Sequence, residues 1–197
     1  STYFVPELEA GKAPERERML LEICSQEVSA FSEFISDLPM DTILAASDKI
    51  RRSNRIFIFA HDISKVPGEF LKLRLLILYY NVILIDLSDL EQTQKTLRKL
   101  TDGDLVILFS FPRYYFPIGN IAKKASESGV PILTITDSDA SPAACHSDLL
   151  LICPTSTEMF YNSMTIPIAM LNILASCLVI DSISPSERQN FINTLSS

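Results

Sequence analysis

Side chains that can grip an anion punctuate the apolar runs of this sequence. Ser64 follows RIFIFAHDI, Ser110 ends DLVILFS, Arg113 stands three residues beyond Ser110, and Thr136 ends PILTIT. A guanidinium holds a phosphate or carboxylate through two parallel hydrogen bonds and does not titrate. Hydroxyls and the N–H groups at helix N-termini complete such a site. Tyr115 can pack its ring on a ligand face, and plain packing is its other reading. For Arg113 the alternative is an ion pair with a nearby carboxylate such as Asp62. Ser156, Thr157 and Glu158 form a further polar group just after the run DLLLIC. Glu158 could transfer a proton, but an acid in the first turn of the helix expected over 158–180 has a simpler role, complementing the helix dipole. His61 and His146 are the only imidazoles. The pair Cys145-His146 offers no nucleophile, because sequence neighbours on a helix point apart. There is no metal-ligand spacing and no dinucleotide glycine fingerprint. No catalytic residues, no metal and no cofactor are expected.

The elements that must position these residues follow from the apolar pattern. Short runs at 55–60, 81–86, 104–110, 131–136 and 148–153 are rich in Ile, Leu and Val with no polar alternation. Strands buried on both faces have this signature, which implies a parallel sheet. Helical stretches are expected between them, near 66–79, 88–101, 117–128 and, more briefly, 140–146. The spacing predicts one further helix over 15–38, ended by Pro39, and another after it that Asp41 can cap. The fold class is therefore α/β: a doubly wound three-layer αβα sandwich around a five-stranded parallel sheet of order 2-1-3-4-5. Such sheets bind ligands outside the carboxyl ends of their strands where the strand order reverses. That point falls between the first and third strands, at the loops 60–66 and 110–117, and so at Ser64, Ser110 and Arg113. Residues 1–14 are expected to be a linker or arm and residues 15–197 a single domain.

Composition narrows the classes of function. The chain has 197 residues and a formal net charge of −7, which argues against direct nucleic-acid binding, since phosphate contacts need clustered positive charge. The basic cluster Lys49–Arg55 reads as the end of a helix, where cations suit the dipole. Cys153 and Cys177 read as small buried hydrophobes of a reducing cytosol, so a cytoplasmic location is expected. The stretch 159–180 carries no charge and is long enough to span a bilayer. Its Asn, Ser and Thr residues and a bend at Pro167 favour a buried or interface helix and no membrane. Its excess of apolar surface, with that of helix 15–38, predicts a homodimer or larger assembly. The chain starts without Met, and we expect a fragment whose upstream part is missing.

Three segments carry a family resemblance: DLVILFSFPRYY, AKKASESGVPILTITDSDASPAACHSDLLLICP and FYNSMTIPIAMLNILAS. Over roughly residues 15–195 the chain resembles the sugar isomerase (SIS) domain, in particular the effector domain of bacterial transcriptional regulators of the RpiR/MurR type. Ala122, Lys123, Gly129, Thr136, Asp137, Ser138, Ser141 and Pro142 match its pattern in order. The resemblance implies a domain that senses a phosphosugar or related small anionic carbohydrate, dimerises, and reaches DNA only through an absent N-terminal helix-turn-helix domain. Together with the switch-point position of the loops, it gives as expected ligand contacts Ser64, Ser110, Arg113, Tyr115, Thr136, Ser156, Thr157 and Glu158. Two other readings stand beside it, a sugar-phosphate isomerase and a degenerate SIS domain that only dimerises. Both site loops depart from the family pattern. Where the family has Gly-x-Gly-x-Ser, this chain has Ala60-His61-Asp62-Ile63-Ser64. Where it has Ser-x-Ser-Gly-x-Thr, this chain has Ser110-Phe111-Pro112-Arg113-Tyr114-Tyr115. Only the leading or closing serine survives in each. Arg113 then either replaces the lost donors as the anion grip, or the site is altered or empty.

Overall fold

Each apolar run becomes a parallel strand: β1 (Arg55–Ala60), β2 (Val82–Asp86), β3 (Asp104–Ser110), β4 (Ile132–Thr136) and β5 (Leu149–Ile152). In this computed structural model of the protein the sheet order is β2-β1-β3-β4-β5, as the runs predict. The structure describes residues 14–157 and 162–195; the arm expected over 1–14, Pro14 apart, and Glu158 lie outside the described residues. All seven residues of β3, the middle strand, are buried.

The helices follow as α1 (Glu15–Ser36), α2 (Met40–Arg52), α3 (Lys65–Ile77), α4 (Leu90–Arg98), α5 (Ile118–Glu127), α6 (Thr165–Ser182) and α7 (Pro185–Leu195). Side chains alternate across a strand, so the sheet feeds two cores. Ile56, Ile58, Ile107 and Phe109 face Ile43 and Ile50 of α2, Leu71 and Leu75 of α3, and Met170, Leu171 and Leu174 of α6. Phe57, Phe59, Val106 and Leu108 face Leu97 of α4 and Ile121, Ala122 and Ala125 of α5. Helices on both faces complete the three layers. The basic cluster ends α2 with Lys49, Arg51 and Arg52 in the last turn. Its last member, Arg55, opens β1 and meets buried Asp104 at the start of β3, Nε to Oδ1 at 2.8 Å and Nη2 to Oδ2 at 2.7 Å.

Several boundaries differ from the sequence pattern. The stretch 140–146 forms only a 3-10 turn at Ala144–His146, because Pro142 and the nearby start of β5 leave no room for a helix. The long apolar helix starts at Thr165, not at 158, and takes in Asp181 near its end; Asn162 has φ +61°, which a helix cannot continue through. Pro167 sits in the first turn of α6, where its missing N–H leaves no bond unmade, so it opens the helix and does not bend it. Asp41 lies inside the first turn of α2, and Pro39 holds the cap position with no side-chain cap. Helix α7 was not expected. Its signal is a capping box, Ser184-Pro185-Ser186-Glu187: Ser184 N donates to Glu187 Oε2 at 2.8 Å and Glu187 N donates to Ser184 Oγ at 3.3 Å.

By length and composition α6 could cross a membrane. Here its stripe Ile166, Met170, Leu171, Leu174 and Leu178 is packed into the core, while Val179 and Ile180 at its far end are exposed. In α1 only Phe34 is buried, and Met19, Leu20, Val28, Phe31 and Ile35 remain exposed.

Candidate functional site

The carboxyl ends of β1 and β3 are neighbours that continue in opposite directions around the sheet. A cleft of about 180 Å³ opens there, lined by His61, Asp62, Ser64, Ser110, Arg113, Tyr115 and Asn162, among others. Helix α3 starts just after Ser64 and α5 starts at Ile118, itself a lining residue. Two helix N-termini, with their positive dipole ends, thus border the cleft. Arg113 adds a cation and Asp62 an acid to its rim.

Both loops keep the backbone shape of glycine without having glycine. Asp62 has φ +49° and Arg113 φ +61°, at two of the three positions where the family pattern carries Gly. A left-handed conformation is tolerable for Asp but costs an Arg roughly 1–2 kcal/mol. Such strain persists only where the surroundings over-determine it, and here they do. The carbonyl of Pro112 accepts from Asn162 Nδ2 at 2.8 Å. On the other side Tyr114 Oη donates to Asp137 Oδ1 at 2.8 Å. Burial, then this bond to a carboxylate, push the Tyr114 hydroxyl up to about 12, so it stays a donor at any physiological pH. Tyr115 Oη reaches the Leu87 carbonyl at 3.4 Å, and its ring lies 4.3 Å from that of His61, tilted by 32°. The loop around Arg113 is therefore held on both flanks while its side chain stays exposed at the cleft.

Asn162 was not read from the sequence. It lines the cleft, and its second side-chain atom, Oδ1, accepts from Thr155 Oγ1 at 3.0 Å. It ties the Arg113 loop to the segment after β5. Next to it, Ser163 Oγ donates to Glu27 Oε2 of α1 at 3.1 Å. Only its left-handed backbone, invisible in the residue type alone, aims Asn162 this way.

The other expected contacts divide. Ser64 and Ser110 are buried and line the cleft. Thr136 is fully buried and donates to the Ser110 carbonyl at 2.6 Å, so its hydroxyl supports the strand end from within. Ser156 and Thr157 follow β5 and are not among the lining residues. Nearby, Asp86 is committed elsewhere: hydrogen bonds from Lys65 and from Ser88 hold its carboxyl at about 2, with Lys65 Nζ at 2.7 Å. Burial pushes the Cys153 thiol up to about 12, so it is inert. Among the described residues no group of three His, Cys, Asp or Glu could hold a metal.

Comparison with known proteins agrees with this geometry. The family model of the SIS domain matches residues 49–177. No curated protein matches the chain. Among solved structures, the sugar isomerase domain of an RpiR transcription factor from Sphaerobacter thermophilus superposes with TM-score 0.76 at 22% identity, covering 91% of this chain and 98% of that one. The Vibrio vulnificus NanR protein complexed with ManNAc-6P gives 0.72 at 14% identity, covering 90% and 67%. A protein of Methanococcus jannaschii, whose structure infers a 3-hexulose-6-phosphate isomerase, gives 0.64 at 18% identity, covering 87% and 96%. At such identities these likenesses describe the fold. The family match spans more than half of the sequence, and the chain belongs to the SIS domain family.

Proposed function

We propose that this chain is the effector-sensing domain of an RpiR/MurR-type transcriptional regulator and binds a phosphosugar or a related small anionic carbohydrate in the β1/β3 cleft. One observation carries the reading: a loop strained around Arg113 and fixed on both flanks presents a guanidinium to a cleft lined by buried hydroxyls and helix starts. Strain of that kind is tolerated where function requires it. The regulators among the similar structures, one of them bound to ManNAc-6P, support the same assignment. In this reading the domain is not an enzyme, works in the cytoplasm, and acts on DNA through a separate N-terminal domain to which residues 1–14 lead. Calorimetric titration with ManNAc-6P, glucose 6-phosphate, ribose 5-phosphate and inorganic phosphate tests it. Binding of a sugar phosphate, unchanged after long incubation, is the expected result. Binding of none of them removes the proposal, and turnover would replace it with the isomerase reading, for which the likeness to the Methanococcus jannaschii protein speaks.

The domain also forms a homodimer in this reading. Exposed Leu20, Val28, Phe31 and Ile35 on α1 and exposed Val179, Ile180 and Phe191 on α6 and α7 leave more apolar surface uncovered than a lone domain of this size carries at ease. Sedimentation at micromolar concentration should give twice the chain mass; a single species of chain mass would exclude it.

A further inference from the structure

A short run of hydrogen bonds joins the loop at the cleft to helix α1, and it passes through two consecutive residues. Asn162 donates from Nδ2 to the Pro112 carbonyl at 2.8 Å and accepts at Oδ1 from Thr155 Oγ1 at 3.0 Å. Ser163, the next residue, donates its N–H to the Thr155 carbonyl at 2.9 Å. Both are thus anchored on Thr155, which is buried. The Ser163 hydroxyl has two acceptors in reach, Glu27 Oε2 on α1 and Thr165 Oγ1 at the start of α6, each at 3.1 Å. A hydroxyl has one proton to donate, so it serves one of them at a time. The carboxylate is the stronger acceptor, and a small shift of Ser163 changes the balance. Among the described residues no other side-chain hydrogen bond ties α1 to another element, and only Phe34 of that helix is buried. An element held by so little opens at low cost.

We infer that Asn162, Ser163 and Glu27 are positioning residues that couple occupancy of the cleft to the docking of α1 on the body of the domain. The inference rests on the cleft being the phosphosugar site proposed above. A ligand gripped by Arg113 restrains the loop 110–117, and with it the Pro112 carbonyl on which Asn162 rests. Asn162 then holds Ser163 where its proton goes to Glu27. When the loop moves freely, the proton goes to Thr165 for part of the time and α1 is released. Occupied cleft and docked helix favour one another, and a coupling of this kind runs equally in both directions. In the same reading α1 is the helix next to the DNA-binding domain, so its docking is the change which that domain senses.

Hydrogen exchange at the amides of Glu15–Ser36 tests the coupling, with and without the sugar phosphate that binds the native chain most tightly in the titrations above. The ligand should slow exchange in the native chain roughly two- to tenfold, the range that one hydrogen bond supports. Glu27→Ala and Asn162→Gly should each exchange faster than the native chain without ligand and lose most of the ligand's effect. Glycine suits the positive φ at 162, and either variant suffices should the other fail to fold. By reciprocity Glu27→Ala should also bind the sugar phosphate roughly two- to tenfold more weakly, although Glu27 is not among the residues that line the cleft. Glu27→Gln, which keeps an acceptor, should recover part of both effects. A sugar phosphate that binds the native chain and leaves α1 exchange unchanged overturns the coupling and leaves the site standing. A ligand effect that persists at full size in both variants takes these three residues out of the coupling and overturns their assignment. If calorimetry finds no sugar phosphate bound by the native chain, the site proposal falls and this inference falls with it.

Discussion

Arg113→Gly will bind its phosphosugar roughly ten- to a hundredfold more weakly than the native chain, the loss expected for a charge-assisted contact, yet it will melt at a higher temperature. The two effects have opposite signs because they have different origins. In the proposed site the guanidinium grips the anion, so its removal lowers affinity. The φ of +61° at this position is uphill for arginine and free for glycine. The greater freedom of glycine in the unfolded chain cancels part of that gain. Arg113→Lys should keep the strain and recover only part of the affinity, because the ammonium lacks the planar fork. Calorimetry and thermal melts on the same samples check both signs. Unchanged affinity in the glycine variant would make Arg113 a structural residue; a lower melting temperature would mean that its side chain stabilises the loop more than its backbone strains it.

Asp104→Ala should be the most destabilising of the single changes considered. The carboxylate has 1% side-chain exposure and accepts from Arg55, from Thr101 N at 2.7 Å and from Thr101 Oγ1 at 3.2 Å. Alanine strands the Thr101 N–H and leaves Arg55 without its acceptor at the head of the two central strands. A loss of about 2–3 kcal/mol follows, or roughly 5–10 °C in melting temperature. The effect depends on pH. Burial pushes the Asp104 pKa upward, but the bonds from Arg55 and Thr101 outweigh it, and the carboxyl sits below its ordinary value. A group depressed by folding contributes its full stability above the unfolded carboxylate pKa of about 4, and that contribution disappears as the pH falls through the folded value. Urea unfolding at pH 7 should therefore separate the native and variant chains widely, and the gap should narrow below about pH 4. A gap that stays constant down to pH 2 would show that the variant's loss is one of packing rather than charge.

Strand number, direction and order were legible because strands buried on both faces leave uninterrupted apolar runs. Once the order is known, the switch point is fixed, and with it the meeting of Ser64, Ser110, Arg113 and Tyr115 in one cleft. Residue type alone did not reveal backbone handedness. Asn162 reads as a polar interruption of an apolar helix until its positive φ aims it at the Pro112 carbonyl. His61 reads as a lone imidazole in a loop until the fold brings it into the lining of the cleft that holds Ser110. Helix α7 was missed for a different reason: its capping box was present, but most of its apolar residues, Phe191, Ile192 and Leu195 among them, remain exposed, so burial contributes little to its pattern.

The strand order also bears on how the chain folds. Ile56 pairs with Val82 across α3 and Val106 with Ile132 across α5, so β1-α3-β2 and β3-α5-β4 are each local units. They join along the β1/β3 seam, where Arg55 meets Asp104 across 49 residues of chain. Closing that loop costs more chain entropy than forming either local unit. The cleft lies on the same seam, with His61 and Ser64 contributed by the first unit and Ser110 and Arg113 by the second. A molecule held between them would act as a clamp across that joint, and its occupancy would be felt in the rate at which the two halves come apart.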